Sequence, residues 1–122
     1  MPQYPHLLLD CKDITVSDTF LNDRAYIKAF MNHLVQAIDM QKLGRLHIEF
    51  LDAPEELVGF SAVQLIKTSS IVLHVYPFDQ TLSLDVFSCK QFDSQVVIDL
   101  VRRYFEPGTI SSQLIWRGFS EM

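Results

Sequence analysis

Alternating hydrophobic and polar positions in the middle of the chain predict a β-hairpin. Residues 70–76 and 81–88 are rich in β-branched and aromatic side chains, and residues 77–80 between them have turn composition. Every second residue of each strand is apolar, so these side chains share one face of the hairpin. That hydrophobic face consists of Ile71, Leu73, Val75, Leu82, Leu84 and Val86. The reverse face carries His74, Asp85 and Cys89, which are polar or reactive, together with the aromatic Phe87.

The turn also predicts the register of the hairpin. With residues 77–80 as the loop, Tyr76 faces Thr81 and Cys89 faces Thr68, so the thiol lies beside the Thr68–Ser69 peptide. Two interpretations follow from this pattern alone. Either Cys89 is a small buried hydrophobe and His74 an ordinary strand residue, or both belong to a reactive site.

The remaining periodicity predicts further strands and two helices. Residues 12–21 are polar and predicted irregular, as is a loop over 52–58. The predicted strands cover residues 4–11, 45–51, 59–67 and 109–116, and the helices run from Asn22 or Asp23 to about Met40 and from Asp93 or Ser94 to Phe105. The order β-α-β-β-β-α-β predicts the α+β class, a two-layer sandwich with both helices on one face of a mainly antiparallel sheet. Since no helix covers the other face, we expect a partner subunit there.

Composition narrows the classes of function. The 122 residues fit a single domain, and a net charge of −5 disfavours a nucleic-acid partner while suiting a cationic small molecule. Cys11 and Cys89 lack a metal-ligand spacing, and we expect both thiols to be reduced. Without a secretory segment or an apolar run of about 20 residues, the chain is predicted to be cytoplasmic and to bind no membrane. Asp10 interrupts a run of leucines, so it lies either in water at a strand end or at a site.

Four motifs around the hairpin resemble one known family. They read Gly59-Phe60-Ser61-Ala62, Thr68-Ser69-Ser70, His74-Val75-Tyr76-Pro77-Phe78 and Asp85-Val86-Phe87-Ser88-Cys89-Lys90. They resemble the bacterial S-adenosylmethionine decarboxylase proenzymes, which are pyruvoyl-dependent and carry Gly-x-Ser-Gly, Glu-Ser-His, His-Thr-Trp/Tyr-Pro-Glu and Asp-Val-Phe-Thr-Cys-Gly. The spacing from Ser61 through Ser69 and His74 to Cys89 matches that family without a gap. Residues 6–11 and 114–118 resemble its first and last strands.

The resemblance implies a self-processing enzyme. The chain would cleave itself between Thr68 and Ser69, giving a β chain of residues 1–68, an α chain of residues 69–122 and a pyruvoyl group derived from Ser69. His74 would act as the base for ester elimination, assisted by Ser61. Cys89 would protonate the substrate carbon after decarboxylation, and we expect apolar strand surroundings that keep its thiol neutral. The product would be the aminopropyl donor for spermidine biosynthesis, and the family's homodimers build their active sites near the subunit interface.

The substrate contacts that the resemblance implies are less complete. Asp10 matches an acidic family residue, Phe50 is a candidate for stacking on adenine, and Phe78 replaces a glutamate that binds the ribose hydroxyls. Ala62, Thr68 and Ser70 also depart from the family motifs. Two alternatives therefore stay open: a pyruvoyl decarboxylase of ornithine or arginine, or an uncleaved, non-enzymatic relative that acts as a partner subunit.

The predicted strand raises a problem of distance. Five residues of straight strand separate Ser69 from His74, which amounts to about 16 Å. If His74 acts on Ser69 within one chain, the strand must bend or bulge near Ser69 and Ser70.

Overall fold

A six-stranded antiparallel sheet with helices on one face forms the domain. The computed structural model describes residues 3–118. Its strands are β1 (Tyr4–Ile14), β2 (His47–Leu51), β3 (Gly59–Ile66), β4 (Ser69–Tyr76), β5 (Thr81–Ser88) and β6 (Pro107–Arg117). Its helices are α1 (Asp18–Leu21), α2 (Arg24–Ala37) and α3 (Ser94–Phe105), with a short 3₁₀ turn over Glu55–Leu57. The strand order is β2-β3-β4-β5-β1-β6, and the five pairings are antiparallel. The predicted α+β sandwich is confirmed.

The two long helices begin at the residues that the sequence predicts. Asp23 caps α2 and Asp93 caps α3, each accepting a hydrogen bond from a backbone N–H two residues later. Both helices bury one stripe against the sheet, as their apolar spacing requires. Phe30 of α2 and Phe105 of α3 meet edge to face, with ring centroids 4.9 Å apart. The hydrophobic face of the hairpin joins the same core.

The prediction for residues 12–21 is wrong. β1 continues to Ile14, and Ser17 caps the one-turn helix α1 by accepting a hydrogen bond from the Thr19 N–H. Ile14 and Leu21 are buried, which anchors this polar segment at both ends. β6 is also longer than predicted. It begins at Pro107, because this residue pairs with Ile14 at the end of the extended β1.

Within residues 3–118 no helix packs on the second face of the sheet, which we call the open face. Its side chains alternate with the buried ones and include His6, Leu8, Asp10, Ser61, Val72, His74, Ser83, Asp85 and Phe87. Most of them are only partly buried. A sheet face that mixes apolar and reactive side chains in this way is suited to contact with another subunit. No helix within residues 3–118 has the length and hydrophobicity to span a membrane.

Gly59 fixes the approach of β3 to β4. A Cβ atom at this position would lie 1.9 Å from the backbone oxygen of Val75, so no larger residue fits without moving a strand. From this start the register runs unbroken and brings Ser61 opposite His74.

Candidate active site

Ser61 and His74 form a pair on the open face. They are direct partners across β3 and β4, and Ser61 Oγ lies 2.8 Å from His74 Nδ1, in hydrogen-bond contact. The imidazole ring also stacks beside Tyr76, with centroids 6.5 Å apart and planes 18° from parallel. These contacts orient the ring and leave Nε2 as the nitrogen available to a reacting group.

The pair belongs to a line of polar side chains that crosses the sheet. We call Ser61, His74, Ser83 and Asp10 the polar row, because each faces the next across β3, β4, β5 and β1. Ser83 Oγ donates a hydrogen bond of 2.7 Å to Asp10 Oδ1. Asp10 is exposed and lines a groove of about 470 Å³ on the open face. Asp10 is therefore exposed to water and lines this groove, and its role at a site stays a prediction.

A second group, which we call the scissile end, consists of Thr68, Ser69 and Cys89. The Thr68 carbonyl oxygen accepts a hydrogen bond of 2.9 Å from the Cys89 N–H. Ser69 Oγ lies 3.8 Å from Cys89 Sγ. The register predicted from the turn is confirmed, since Tyr76 pairs with Thr81 and the ladder continues to Ser69 and Ser88. The thiol therefore lies beside the Thr68–Ser69 peptide, as the sequence predicts.

The bend expected near Ser69 and Ser70 is absent from β4. Both residues pair in register with β3 on one side and β5 on the other. An odd separation of five residues also directs the Ser69 and His74 side chains to opposite faces of a regular strand. One chain therefore does not bring His74 to Ser69, and the scissile end and the polar row remain about 16 Å apart along the strand.

The surroundings of Cys89 also differ from the expectation. Cys89 follows the last residue of β5 and is exposed, so the apolar strand does not enclose its thiol. The buried thiol is Cys11, whose pKa is raised to about 11, mainly by burial and then by the charge of Asp10. Cys11 is thus a neutral core residue at physiological pH, and Cys89 is the accessible thiol.

The two predicted aromatic substrate contacts lie away from both groups. Phe50 pairs with Phe60 across β2 and β3, with ring centroids 5.0 Å apart, which puts it on the helix side of the sheet. Its expected stacking role has no support from this placement. Phe78 is 59% exposed in the turn after β4, at the opposite end of the hairpin from Ser69. It lines a cavity of about 350 Å³ with Asp18, Asn22, Val58 and Pro77.

Sequence reasoning did not single out the side chains that hold the scissile end. Ser88 Oγ donates a hydrogen bond of 2.9 Å to Thr68 Oγ1, and Ser88 is fully buried. The alternation of β5 does indicate Ser88, because it is the one polar residue on the buried face of that strand. The other residues on that face are Leu82, Leu84 and Val86. A buried hydroxyl in such a set needs a hydrogen-bond partner, and here that partner is the side-chain hydroxyl of Thr68.

Two relatives and one solved structure provide a comparison for this chain. S-adenosylmethionine decarboxylase proenzymes from Clostridium botulinum strains Langeland and Loch Maree are 29% and 28% identical to the chain over 94 residues, covering 76% of the chain and 75% of each relative. The crystal structure of the adenosylmethionine decarboxylase from Aquifex aeolicus VF5 superposes with a TM-score of 0.81. That superposition covers 98% of this chain and 94% of the other at 21% sequence identity.

The fold and the arrangement of the scissile end define a protein with the adenosylmethionine decarboxylase fold and a serine–thiol site at the end of its central hairpin. The sequence model of the S-adenosylmethionine decarboxylase family matches residues 5–118. The chain belongs to the S-adenosylmethionine decarboxylase family.

Proposed function

We propose that the chain cleaves itself between Thr68 and Ser69 and then decarboxylates S-adenosylmethionine, giving the aminopropyl donor for spermidine biosynthesis. The observation that carries this proposal is the scissile end. The carbonyl that must be attacked is hydrogen-bonded to the Cys89 N–H at 2.9 Å, and the Ser69 hydroxyl adjoins the Cys89 thiol. A backbone N–H in this position stabilises the negative charge that develops on a carbonyl oxygen under attack.

Self-cleavage uses only groups of the chain and water. The Ser69 hydroxyl oxygen bonds to the Thr68 carbonyl carbon, the peptide C–N bond breaks, and the hydroxyl proton ends on the freed Ser69 amine. A base then removes the Ser69 Cα proton, the Cβ–Oγ bond breaks, and Thr68 leaves as a carboxylate. Water converts the enamine left at residue 69 into the pyruvoyl group and ammonia. His74 is the proposed base, and Ser61 orients its ring.

The residues at the scissile end fit a pyruvoyl group. Its carbonyl supplies the electron sink that decarboxylation of an amino acid requires. Ser69 provides its carbon atoms, and the exposed Cys89 thiol beside it is accessible to a substrate carbon. Cys89 is the proposed proton donor to that carbon after carbon dioxide leaves.

We propose that the site is completed by a second copy of the chain. His74 of the same chain is about 16 Å from Ser69 along an unbroken strand, so the base has to come from elsewhere. In a symmetric dimer with facing open faces, a two-fold axis that crosses β4 between Ser69 and His74 reverses the strand direction. The partner's His74 then comes to the level of Ser69 on the open face, which is the side of β4 opposite the Ser69 side chain, so its proposed action is on the Cα proton and not on the hydroxyl. A dimer contains two such sites.

The same symmetry accounts for the placement of the substrate contacts. The axis that carries the partner's polar row to the scissile end also carries the partner's Phe78 beyond it. Asp10 and Phe78 therefore belong to the proposed substrate site as residues of the partner subunit. An acidic side chain in this position suits the cationic substrate.

A substrate panel tests the reaction. The cleaved protein is expected to release carbon dioxide from carboxyl-labelled S-adenosylmethionine and not from ornithine or arginine, since the family match favours the nucleoside substrate. Labelled carbon dioxide is counted for each amino acid at equal concentration, with Cys89→Ser as the matched variant that lacks the thiol. Release from ornithine or arginine alone would assign the pyruvoyl chemistry to another amino acid.

Phe78 favours ornithine or arginine as the substrate, because an aromatic ring has replaced the carboxylate that binds ribose in the family. If S-adenosylmethionine is nevertheless the substrate, Phe78→Glu is expected to lower its KM by about tenfold, the effect of one good charged hydrogen bond. Phe78→Gln is the control, since it has nearly the same shape without the charge. Steady-state kinetics with an unchanged KM in both variants would exclude a ribose contact at this position.

The proposed location is the cytoplasm. The support is that Cys11 and Cys89 are both free thiols, and reduced cysteines are typical of that compartment.

A further inference from the structure

The hydroxyl of Ser88 is buried on the helix side of the sheet. Its residue is fully inaccessible, and Ser88 and Gln64 are the buried polar residues in the part of the chain that the structure describes. A hydroxyl in such a place is costly unless it is hydrogen-bonded. The hydrogen-bond partners of the Ser88 hydroxyl therefore indicate which segments of the chain it positions.

Ser88 connects two segments that flank the scissile end. Its Oγ donates to Thr68 Oγ1 at 2.9 Å and accepts a hydrogen bond of 2.9 Å from the Lys90 N–H. Thr68 Oγ1 in turn lies 3.4 Å from Met40 Sδ, to which it donates. The Thr68 side chain is thus fixed on two sides.

Lys90 ties this arrangement to the end of α2. Its Nζ donates to the Asp39 backbone oxygen at 2.6 Å and contacts Asp39 Oδ2 at 3.1 Å. Both Lys90 and Asp39 are exposed, so this ion pair adds little stability by itself. Its effect is to fix the turn after β5, from which the Cys89 N–H points at the Thr68 carbonyl oxygen.

We propose that Ser88 is a positioning residue for self-cleavage. Thr68 is held at two atoms: its carbonyl oxygen by the Cys89 N–H and its hydroxyl by Ser88. Together these bonds fix the orientation of the carbonyl carbon that the Ser69 hydroxyl attacks, and a small error in such an orientation slows a reaction strongly. The inference rests on the proposed cleavage between Thr68 and Ser69.

The proposed role of Ser88 ends when the chain is cut between Thr68 and Ser69. Once the C–N bond is broken, Thr68 becomes the carboxylate end of the β chain and takes no part in turnover. A hydroxyl that acts on Thr68 therefore affects the rate of cleavage and not the decarboxylation by chains already cleaved. A general structural support of the adjacent Cys89 would affect both.

Ser88→Ala removes the hydrogen bond to Thr68 Oγ1 and the one from the Lys90 N–H. Loss of the first is expected to slow self-cleavage about tenfold, the effect of losing one buried hydrogen bond in the reacting geometry. Freshly synthesised full-length chain is followed by intact mass over time, and labelled carbon dioxide release is expressed per pyruvoyl group. Turnover per pyruvoyl group is expected to stay within about twofold of the wild type. Ser88→Thr keeps the hydroxyl and is expected to restore the cleavage rate.

A double-mutant cycle with Thr68→Val tests whether the two hydroxyls act through their shared bond. Valine has the shape of threonine without the hydroxyl, so Ser88→Ala in that background is expected to cost little further rate. Additive losses, a wild-type cleavage rate in Ser88→Ala, or an equal loss of turnover per pyruvoyl group would each overturn the inference. If the wild-type chain stays uncleaved, the proposed function itself fails, and this inference fails with it.

Discussion

Ser69→Ala is expected to leave the chain intact and without decarboxylase activity. The substitution removes the hydroxyl that attacks the Thr68 carbonyl, so the ester whose elimination leads to the pyruvoyl group cannot form. The loss should be complete, because no neighbouring group can supply the same carbonyl at residue 69. The intact mass of freshly purified wild-type protein is compared with that of the variant. The wild type should give two fragments that meet at Thr68–Ser69, the second blocked at its N-terminus by a pyruvoyl group.

Ser70→Ala is the matched control for this experiment. Ser70 is the next hydroxyl along β4 and pairs with Phe87, so its side chain points to the open face, opposite to that of Ser69. It should be cleaved like the wild type. A wild-type chain that stays uncleaved after long incubation would contradict the proposed enzyme and favour the non-enzymatic partner subunit. In that case Thr68 and Ser70, which depart from the family motif, would be the first residues to restore.

The parts of the site that depend on local pairing are predictable from the sequence. A four-residue turn fixes the register of β4 and β5, so the meeting of Cys89 with Thr68 follows from residue counting. Helix caps are equally local, which is why Asp23 and Asp93 agree with the structure. The face of Asp10 is not predictable in this way, because residues 7–9 are three consecutive leucines and do not alternate.

The parts that depend on distant partners were not predictable. The exposure of Cys89 depends on where β5 ends relative to the loop before α3, and periodicity does not fix that boundary. The partners of Ser88 lie 20 and 48 residues away in sequence, at Thr68 and Met40. The polar row is also a product of the sheet order, because β1 inserts between β5 and β6. No local sequence pattern predicts that β1 lies between β5 and β6.

The unbroken register of β4 leads to a different expectation for His74 than the sequence alone. A bend would let His74 act within its own chain, whereas a straight strand requires the partner's His74. Ser69→Ala and His74→Ala should each fail to cleave when made alone, the first for lack of a nucleophile and the second for lack of a base. Produced together, they should recover cleavage, because a mixed dimer contains one site with Ser69 from one chain and His74 from the other.

The proposed dimer predicts how much cleavage the mixture recovers and which of the two variants is cut. With random pairing of equal amounts, about half of the His74→Ala chains are in mixed dimers, so about half of them should be cut. The Ser69→Ala chains should stay intact throughout, and a mass tag on one variant separates the two in a single spectrum. Ser69→Ala produced with Ser69→Ala/His74→Ala is the matched control and should give no cleavage. If His74→Ala chains remain uncut in the mixture while the wild type cleaves, the base acts within one chain and β4 must rearrange before reaction. Cleavage would then not depend on the subunit interface. Instead, Ser69 and Ser70 at the start of β4 would have to break their pairing with β5.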